Sequence, residues 1–498
     1  MVARADRFMT TNLGCQNKAG PKKSSLENMR GDFMSQTIRI CRWAKLFSGE
    51  AGYFAVFHSL NLEVVFLEQK FREMIELLFL GTTLDFLTRK FEKLTEIPEI
   101  IAELSRYGLI VPVENDDMTL LEEKRKVHVL PPGLETLYLI VADDCNLACG
   151  YCFILNNMPE DYRSRRMSFA TAKAAIDMYF GNLVRNPPGY EKLRKTIYFY
   201  GGEPLLNFRL IKQVVEYLEH QYKDQIGEMG EKFRMSIVTN GTLISKEIAQ
   251  FVGERDNFDI AISLDGQEEI HNKKRPFING KGSFEKAIRG LEILKQWGKK
   301  EISLSCTIAD HNIDKLPSLL DLHRKYDFAS INLNPLVDTA KDPVSKKYMR
   351  RVSKRMVEYF ALAREEGVYE DRMMRKTKSF MDKKIHAYDC QALGAQLVCS
   401  PDGQLGVCHE GIGIKQFFFA AVDKDFDFHR NPIIAEWKQR TPLNMPQCYD
   451  CSALGICGGG CAYGSWLRNG SIWSVDDRFC IHSRTTLKWL VWDLFSRL

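Results

Sequence analysis

Eleven of the fourteen cysteines in this 498-residue chain fall in two tight groups, three between positions 145 and 152 and eight between 390 and 480. Only Cys15, Cys41 and Cys306 stand apart. Such clustering points to metal binding or catalysis rather than disulfides where a reducing cytoplasm keeps thiols free. A cytoplasmic protein is the expectation, because residues 1–33 lack the apolar core and cleavage site of a secretory signal. No membrane association is expected either, since no run of eighteen or more uncharged apolar residues occurs. A net charge of +5 is small for this length and gives no reason to expect nucleic acid.

The chain is longer than one hydrophobic core usually organises, so two or three domains are expected. Residues 1–33 are polar and patternless, and the segment 1–49 reads as largely disordered or irregular. Apolar residues alternate over 53–67 as a β-hairpin requires, helical spacing follows at 68–80, 84–94 and 97–106, and 109–113 reads as a short closing strand. Together, residues 50–116 predict a hairpin with a small winged-helix bundle. Helix-turn-helix units often bind DNA, but residues 53–115 carry ten acidic and six basic side chains, which repel phosphate.

Beyond Pro131 the pattern becomes strand and helix in alternation, with β-rich runs at 136–142, 196–200, 235–239, 258–264, 302–307 and 330–334. This predicts an α/β fold over 130–340, a partial six-unit (β/α) barrel closed by right-handed crossovers. In such barrels the chemistry sits on loops at the C-terminal ends of the strands. Residues 341–389 read as a helical bridge and 390–498 as a cysteine-rich domain. Within the latter, 481–498 is amphipathic, with Leu487, Leu490, Val491, Leu494 and Phe495 on one face, and is expected to pack against the barrel.

The first cysteine group, Cys145, Cys149 and Cys152, has C-x3-C-x2-C spacing and directly follows the first barrel strand. A [4Fe–4S] cluster normally takes four cysteines, so three leave one iron open to a substrate or cofactor. A structural zinc site would want a fourth Cys or His close by, and between positions 59 and 219 the only His is His128. On these residues the chain resembles the radical S-adenosylmethionine (SAM) superfamily, whose cysteine loop of this spacing carries an aromatic residue where Tyr151 stands, followed here by Phe153. The resemblance extends along the barrel. Gly201, Gly202, Glu203 and Pro204 match the motif that contacts the cofactor's methionine amino group. Thr239-Asn240-Gly241, with Asn240, and Ser263-Leu264-Asp265-Gly266, with Asp265, look like the family's cleft-lining motifs. Ser263 and Arg275 are candidates for ribose or carboxylate contacts, and Asn334 for a place beside the adenine.

The second group runs Cys390, Cys399, Cys408, Cys448, Cys451, Cys457, Cys461 and Cys480. It resembles the SPASM extension of that superfamily, and the likeness implies two auxiliary [4Fe–4S] clusters, one on Cys390, Cys408 and Cys461, the other on Cys448, Cys451, Cys457 and Cys480. Cys399 lies outside the seven-cysteine pattern and is either a fourth ligand of the first auxiliary cluster or a buried thiol. Paired zinc ribbons are the structural alternative for the whole block.

The hairpin and winged-helix segment resembles the precursor-recognition element of maturases acting on ribosomally made peptides, in which a leader adds as an extra strand. The resemblance thus implies SAM and three clusters as cofactors, a precursor peptide as substrate, and a one-electron reductant such as flavodoxin or ferredoxin as partner. The implied reaction is oxidative modification, including cross-linking. The enzyme alternative is a protein-modifying activity like that of anaerobic sulfatase maturases. In that branch the residue after the Gly-x4-Cys cysteine is an Asp proposed as general base; here it is His409, either a proton acceptor or an exposed structural residue. A non-catalytic electron-transfer or zinc-stabilised binding protein is the alternative from another class.

Overall fold

The computed structural model describes residues 35–49, 52–339 and 343–498. The N-terminal domain is built on two three-stranded antiparallel sheets. Strands β1 (Thr37–Ile40) and β2 (Ala44–Ser48) precede β3 (Tyr53–His58) and β4 (Val64–Glu68), followed by β5 (Thr82–Thr83) and β6 (Ile110–Pro112). One sheet has the order β2-β3-β4 and the other β5-β1-β6. Helices Arg72–Leu80, Leu84–Lys90 and Ile97–Arg106 fill the space between, and Asp117–His128 leads onward. The domain therefore begins earlier than position 50. Residues 37–48, expected to be irregular, supply one strand to each sheet, and their short length hides the alternation that marks a strand. The strand near 109–113 pairs with β1, not with the hairpin. The hairpin's first strand is central, so β2 and β4 form the edges of that sheet. The part of segment 1–49 before residue 35 lies outside the described residues.

Strands β7 (Thr136–Ala142), β8 (Lys195–Gly201), β9 (Phe233–Thr239), β10 (Phe258–Ser263), β11 (Ile302–Ile308) and β12 (Ser330–Pro335) run parallel and neighbour one another in chain order. Instead of closing onto β12, β7 pairs with β13 (Gln396–Cys399), which continues through β14 (Gln404–Gly406) to β15 (Phe418–Ala421). The result is an open barrel, and the nine-stranded sheet carries the cysteine-rich domain on the edge next to the first barrel strand. Alternation fixes its two faces. Ile302, Leu304, Cys306 and Ile308 of β11 and Ile331 and Leu333 of β12 join the core with the crossover helices, while Ser303, Ser305 and Thr307, and Ser330, Asn332 and Asn334, take the other, polar face.

Helices Lys346–Glu365 and Asp371–Met381 bridge to the C-terminal domain. The final helix, Asp477–Phe495, packs mainly along Lys346–Glu365 and against the N-terminal sheet, not against the barrel as its amphipathic face suggested. Leu487, Leu490 and Val491 share one apolar cluster with Ala55, Phe57, Val64 and Phe66. The loop carrying Cys448, Cys451 and Cys457 is also wedged into the N-terminal domain: Tyr449 and Leu454 enter its helical core, and Ile456 enters the cluster on the sheet. Tyr449 lies edge-on to Trp43 at 6.3 Å, and Arg42 pairs with Asp450 at 3.2 Å. No helix among the described residues is long and apolar enough to cross a membrane.

Because Leu487 is fully buried between the final helix and the N-terminal sheet, Leu487→Ala should cost about 2–5 kcal/mol. The loss should appear as a lower melting temperature and faster amide exchange over residues 53–68. An unchanged melting temperature would contradict the packing.

Candidate active site

The three cysteines of the first group lie on the loop leaving β7, half-buried at the C-terminal end of the sheet. The Cys145 sulfur accepts from the Leu147 amide at 3.4 Å, and Cys152 caps the short helix Phe153–Asn157. Backbone bonds from Ala148 to Pro276 at 2.9 Å and from Gly150 to Lys274 at 3.2 Å pin the loop to the segment after β10. Cys145 feels the charges of Cys149 and Cys152. Burial pushes Cys145 up to about 12 and Cys149 up to about 11, so both stay protonated unless a cation arrives. A bound metal supplies that cation and deprotonates them.

Gly201 and Gly202 end β8 against this loop. Gly201 has φ +139°, and a Cβ there would lie 1.9 Å from the Ala142 carbonyl oxygen; one on Gly202 would lie 2.3 Å from that of Asp144. Only glycine permits the two strand ends to approach so closely. Glu203 follows, fully buried, accepting from the Thr239 hydroxyl at 2.6 Å, the Asn240 amide at 2.8 Å and the Leu205 amide at 3.1 Å. Burial outweighs these bonds and pushes its carboxyl up to about 7. Pro204 opens a single helical turn, Pro204–Asn207. The Asn240 side chain bonds Asn146 at 2.8 Å and reaches the Cys145 sulfur at 3.9 Å, which ties the end of β9 to the cysteine loop.

Across the cleft, Asp265 is buried and acidic, held down to about 2 against the cost of burial by Arg275, His311 and Tyr151. Arg275 Nε lies 3.1 Å from Asp265, its guanidinium covers the Tyr151 ring at 5.4 Å, and the Tyr151 hydroxyl donates to Asp265. Arg275, expected from sequence to meet the cofactor directly, is thus already engaged by a carboxylate. Ser263 is buried at the end of β10, and Asn334 donates to Ser305 at 3.1 Å. His311 was not singled out by sequence. Its side chain is buried after β11, 3.6 Å from Asp265 and stacked over Tyr151. Its position in the loop after a barrel strand was the only available signal.

His409 is not an exposed residue. Its ring packs among Tyr138 at 4.9 Å, Tyr200 at 5.0 Å and Phe153 at 5.9 Å, and burial takes it down to about 4, leaving it neutral. Its neighbour Glu410, also missed, is pushed up to about 7 by burial.

The eight C-terminal cysteines separate by proximity. Cys408 feels Cys461 and Cys390, whereas Cys480 and Cys448 both feel Cys451 and Cys457. Cys461 caps the helix Ala462–Asn469, Cys390 accepts from the Ala392 amide at 3.4 Å, and Arg484 donates to Cys451 at 3.5 Å. Cys399 belongs to neither set. It is fully buried at the end of β13 in the barrel core, and the charges it feels are those of Asp402 and Lys415, not of any cysteine. Among the described residues, no three Cys, His, Asp or Glu side chains form a group able to hold a single metal ion. A four-iron cluster spreads its thiolates one to an iron.

Residues 139–323 match the Radical SAM superfamily. Over 467 residues the chain is 21% identical to the radical SAM cyclopropyl synthase TigE of Paramaledivibacter caminithermalis, covering 90% of this chain and 94% of that one. It is 29% identical to a cysteine-type anaerobic sulfatase-maturating enzyme of Clostridium novyi, over 42% of this chain and 53% of that enzyme. In fold it resembles Streptococcus suis SuiB, solved bound to its precursor peptide SuiA, with a TM-score of 0.52, 17% identity and coverage of 89% and 99%.

Burial raises the Glu203 carboxyl from 4.5 to about 7, so the folded state binds its proton more tightly than the unfolded chain does. The resulting stability is complete below about pH 4.5 and is lost as pH rises through about 7. Without SAM, the melting temperature of wild type should therefore fall across that window more steeply than that of Glu203→Gln. Parallel melting profiles would contradict it.

Proposed function

We propose that this chain, a radical SAM enzyme whose family domain spans residues 139–323, oxidatively modifies a ribosomally made precursor peptide. The observation that carries the reading is the meeting, at one end of the barrel, of the Cys145, Cys149 and Cys152 loop with the aromatic group around His409, itself adjacent to Cys408. The family implies a [4Fe–4S] cluster and SAM. When bound, the cluster and SAM would together supply one-electron chemistry for abstracting a hydrogen atom from the peptide.

The chain's own residues orient and enclose. Cys145, Cys149 and Cys152 would hold the catalytic cluster. Glu203, buried with its amide and hydroxyl donors, meets the methionine amine, while Asp265, Arg275 and His311 form the opposite wall, with Ser263, Asn240 and Asn334 on the polar face. Tyr138, Tyr200, Phe153 and His409 exclude water between the cleft and Cys408. Cys390, Cys408 and Cys461 hold one auxiliary cluster, and Cys448, Cys451, Cys457 and Cys480 a second. Cys399 is left out of both, a buried thiol in the core. Auxiliary clusters suit a net oxidation, in which the peptide loses two hydrogens.

Peptide recognition falls to the N-terminal domain, where β2 and β4 are sheet edges to which an extended leader can add. Likeness along nearly the whole length of TigE supports this reading, while a serine-type anaerobic sulfatase-maturating enzyme of Klebsiella aerogenes, matched over 80% of its length, and anSMEcpe, alike in fold at a TM-score of 0.59, supply the second reading. A flavodoxin- or ferredoxin-like donor would supply the electron.

Anaerobically reconstituted protein should hold about twelve irons, the sum of three four-iron clusters. Replacing Cys145, Cys149 and Cys152 together with Ala should leave about eight and abolish deoxyadenosine formation. Zinc in place of iron, or deoxyadenosine formed by the triple variant, would contradict the assignment. Coexpression with any short reading frame found beside the gene should yield a peptide about two mass units lighter, as a net oxidation requires. Modification of folded sulfatase-type protein substrates alone would favour the alternative.

A further inference from the structure

Arg440 is completely buried. Its guanidinium donates to the carbonyls of Gly459 at 2.7 Å, Gly460 at 3.3 Å, Ser474 at 3.2 Å and Ile472, and to the Ser465 hydroxyl at 2.9 Å. Every acceptor is neutral. Its nearest carboxylate neighbour, Asp476, is already taken by Arg478 at 2.5 Å. A buried cation without a carboxylate is costly, and such groups persist where another negative charge faces them. The charges that Arg440 feels are, in descending order, those of Cys461 from one C-terminal set, Cys457 from the other, Asp476, and then Cys448. Gly459 and Gly460, which it grips, lie on the stretch joining Cys457 to Cys461.

We propose that Arg440 is the shared counter-cation of the two C-terminal cysteine sets and raises the potential at which the clusters they hold accept an electron. The inference rests on the reading that both sets hold [4Fe–4S] clusters. A cluster gains one negative charge on taking up one electron, so a fixed positive charge beside it favours the reduced form, the more so where solvent is excluded. One guanidinium between two sets acts on both. Arg484, exposed and 3.5 Å from Cys451, faces the outer set alone and acts through solvent. A purely structural Arg440 would staple the glycine stretch through its five hydrogen bonds without moving a potential.

The test is an anaerobic redox titration, followed by electron paramagnetic resonance, of full-length wild type, Arg440→Met, Arg440→Lys and Arg484→Met, each with its iron counted. Arg440→Met should weaken reduction of both auxiliary clusters on the order of tenfold, about 59 mV for a one-electron couple, and leave the SAM-responsive cluster unmoved. Arg440→Lys keeps the charge and should stay near wild type, and Arg484→Met should shift one auxiliary cluster only, and by less. Wild-type potentials in an iron-replete Arg440→Met variant, or equal shifts in the Lys and Met variants, would overturn the inference. If the Met variant loses iron, Arg440→Gln, which keeps a hydrogen-bond donor but not the charge, decides: lowered potentials of both auxiliary clusters support charge, and wild-type potentials refute it. Wild type holding only about four irons would show that the C-terminal sets carry no clusters, and the reading beneath the inference would fall with it.

Discussion

A thiol withdrawn from water stays protonated unless positive charge stands beside it, and each of the three cysteine sets holds thiols that are wholly or partly withdrawn from water. Cys145, Cys448 and Cys480 are each pushed up to about 12 by desolvation. A bound cation would relieve that cost in each set, and the folded chain adds cations of its own: Arg275 beside Cys149, Arg375 beside Cys390, Arg440 on the glycine stretch between Cys457 and Cys461, and Arg484 against Cys451. The architecture follows from the need to bring such cations and thiols together from distant parts of the sequence.

That need explains why the domains are not beads on a string. The first barrel strand borrows β13 from the cysteine-rich domain, while the loop of Cys448, Cys451 and Cys457 lends Tyr449, Leu454 and Ile456 to the apolar interior of the N-terminal domain. The C-terminal cysteines therefore sit at joints between domains, where a thiol is held from more than one side. The aromatic group around His409 joins the inner two sets in the same way, since Phe153 follows Cys152 and His409 follows Cys408.

The barrel was legible from sequence because its signal is local and repeated. Six β-rich runs separated by amphipathic helices leave little choice, and the paired glycines before Glu203 announce a close approach that Cβ atoms forbid. Motif spacing grouped the cysteines, and Cys399 was undecided because spacing says nothing about which way a strand residue faces. What escaped was long-range. Strands β1 and β2 are too short to show alternation, and β1 finds its partners in β5 and β6 more than forty residues on. The final helix was legible as amphipathic, but no pattern in it names the N-terminal sheet as the surface it covers. His311 and Glu410 gain their meaning only from neighbours brought by folding.

The central claim is that the thiols of Cys145, Cys149 and Cys152 hold a cluster with one iron open to SAM, and that the C-terminal clusters do not share this property. Electron paramagnetic resonance of the fully reduced, reconstituted protein tests it directly, recorded with and without SAM under conditions that block turnover. The account predicts that one spin system changes its g-values when SAM is added, that this system is missing when Cys145, Cys149 and Cys152 are replaced, and that the remaining signals are indifferent to SAM. Spectra that do not respond to SAM, or a response that survives loss of those three cysteines, would contradict it.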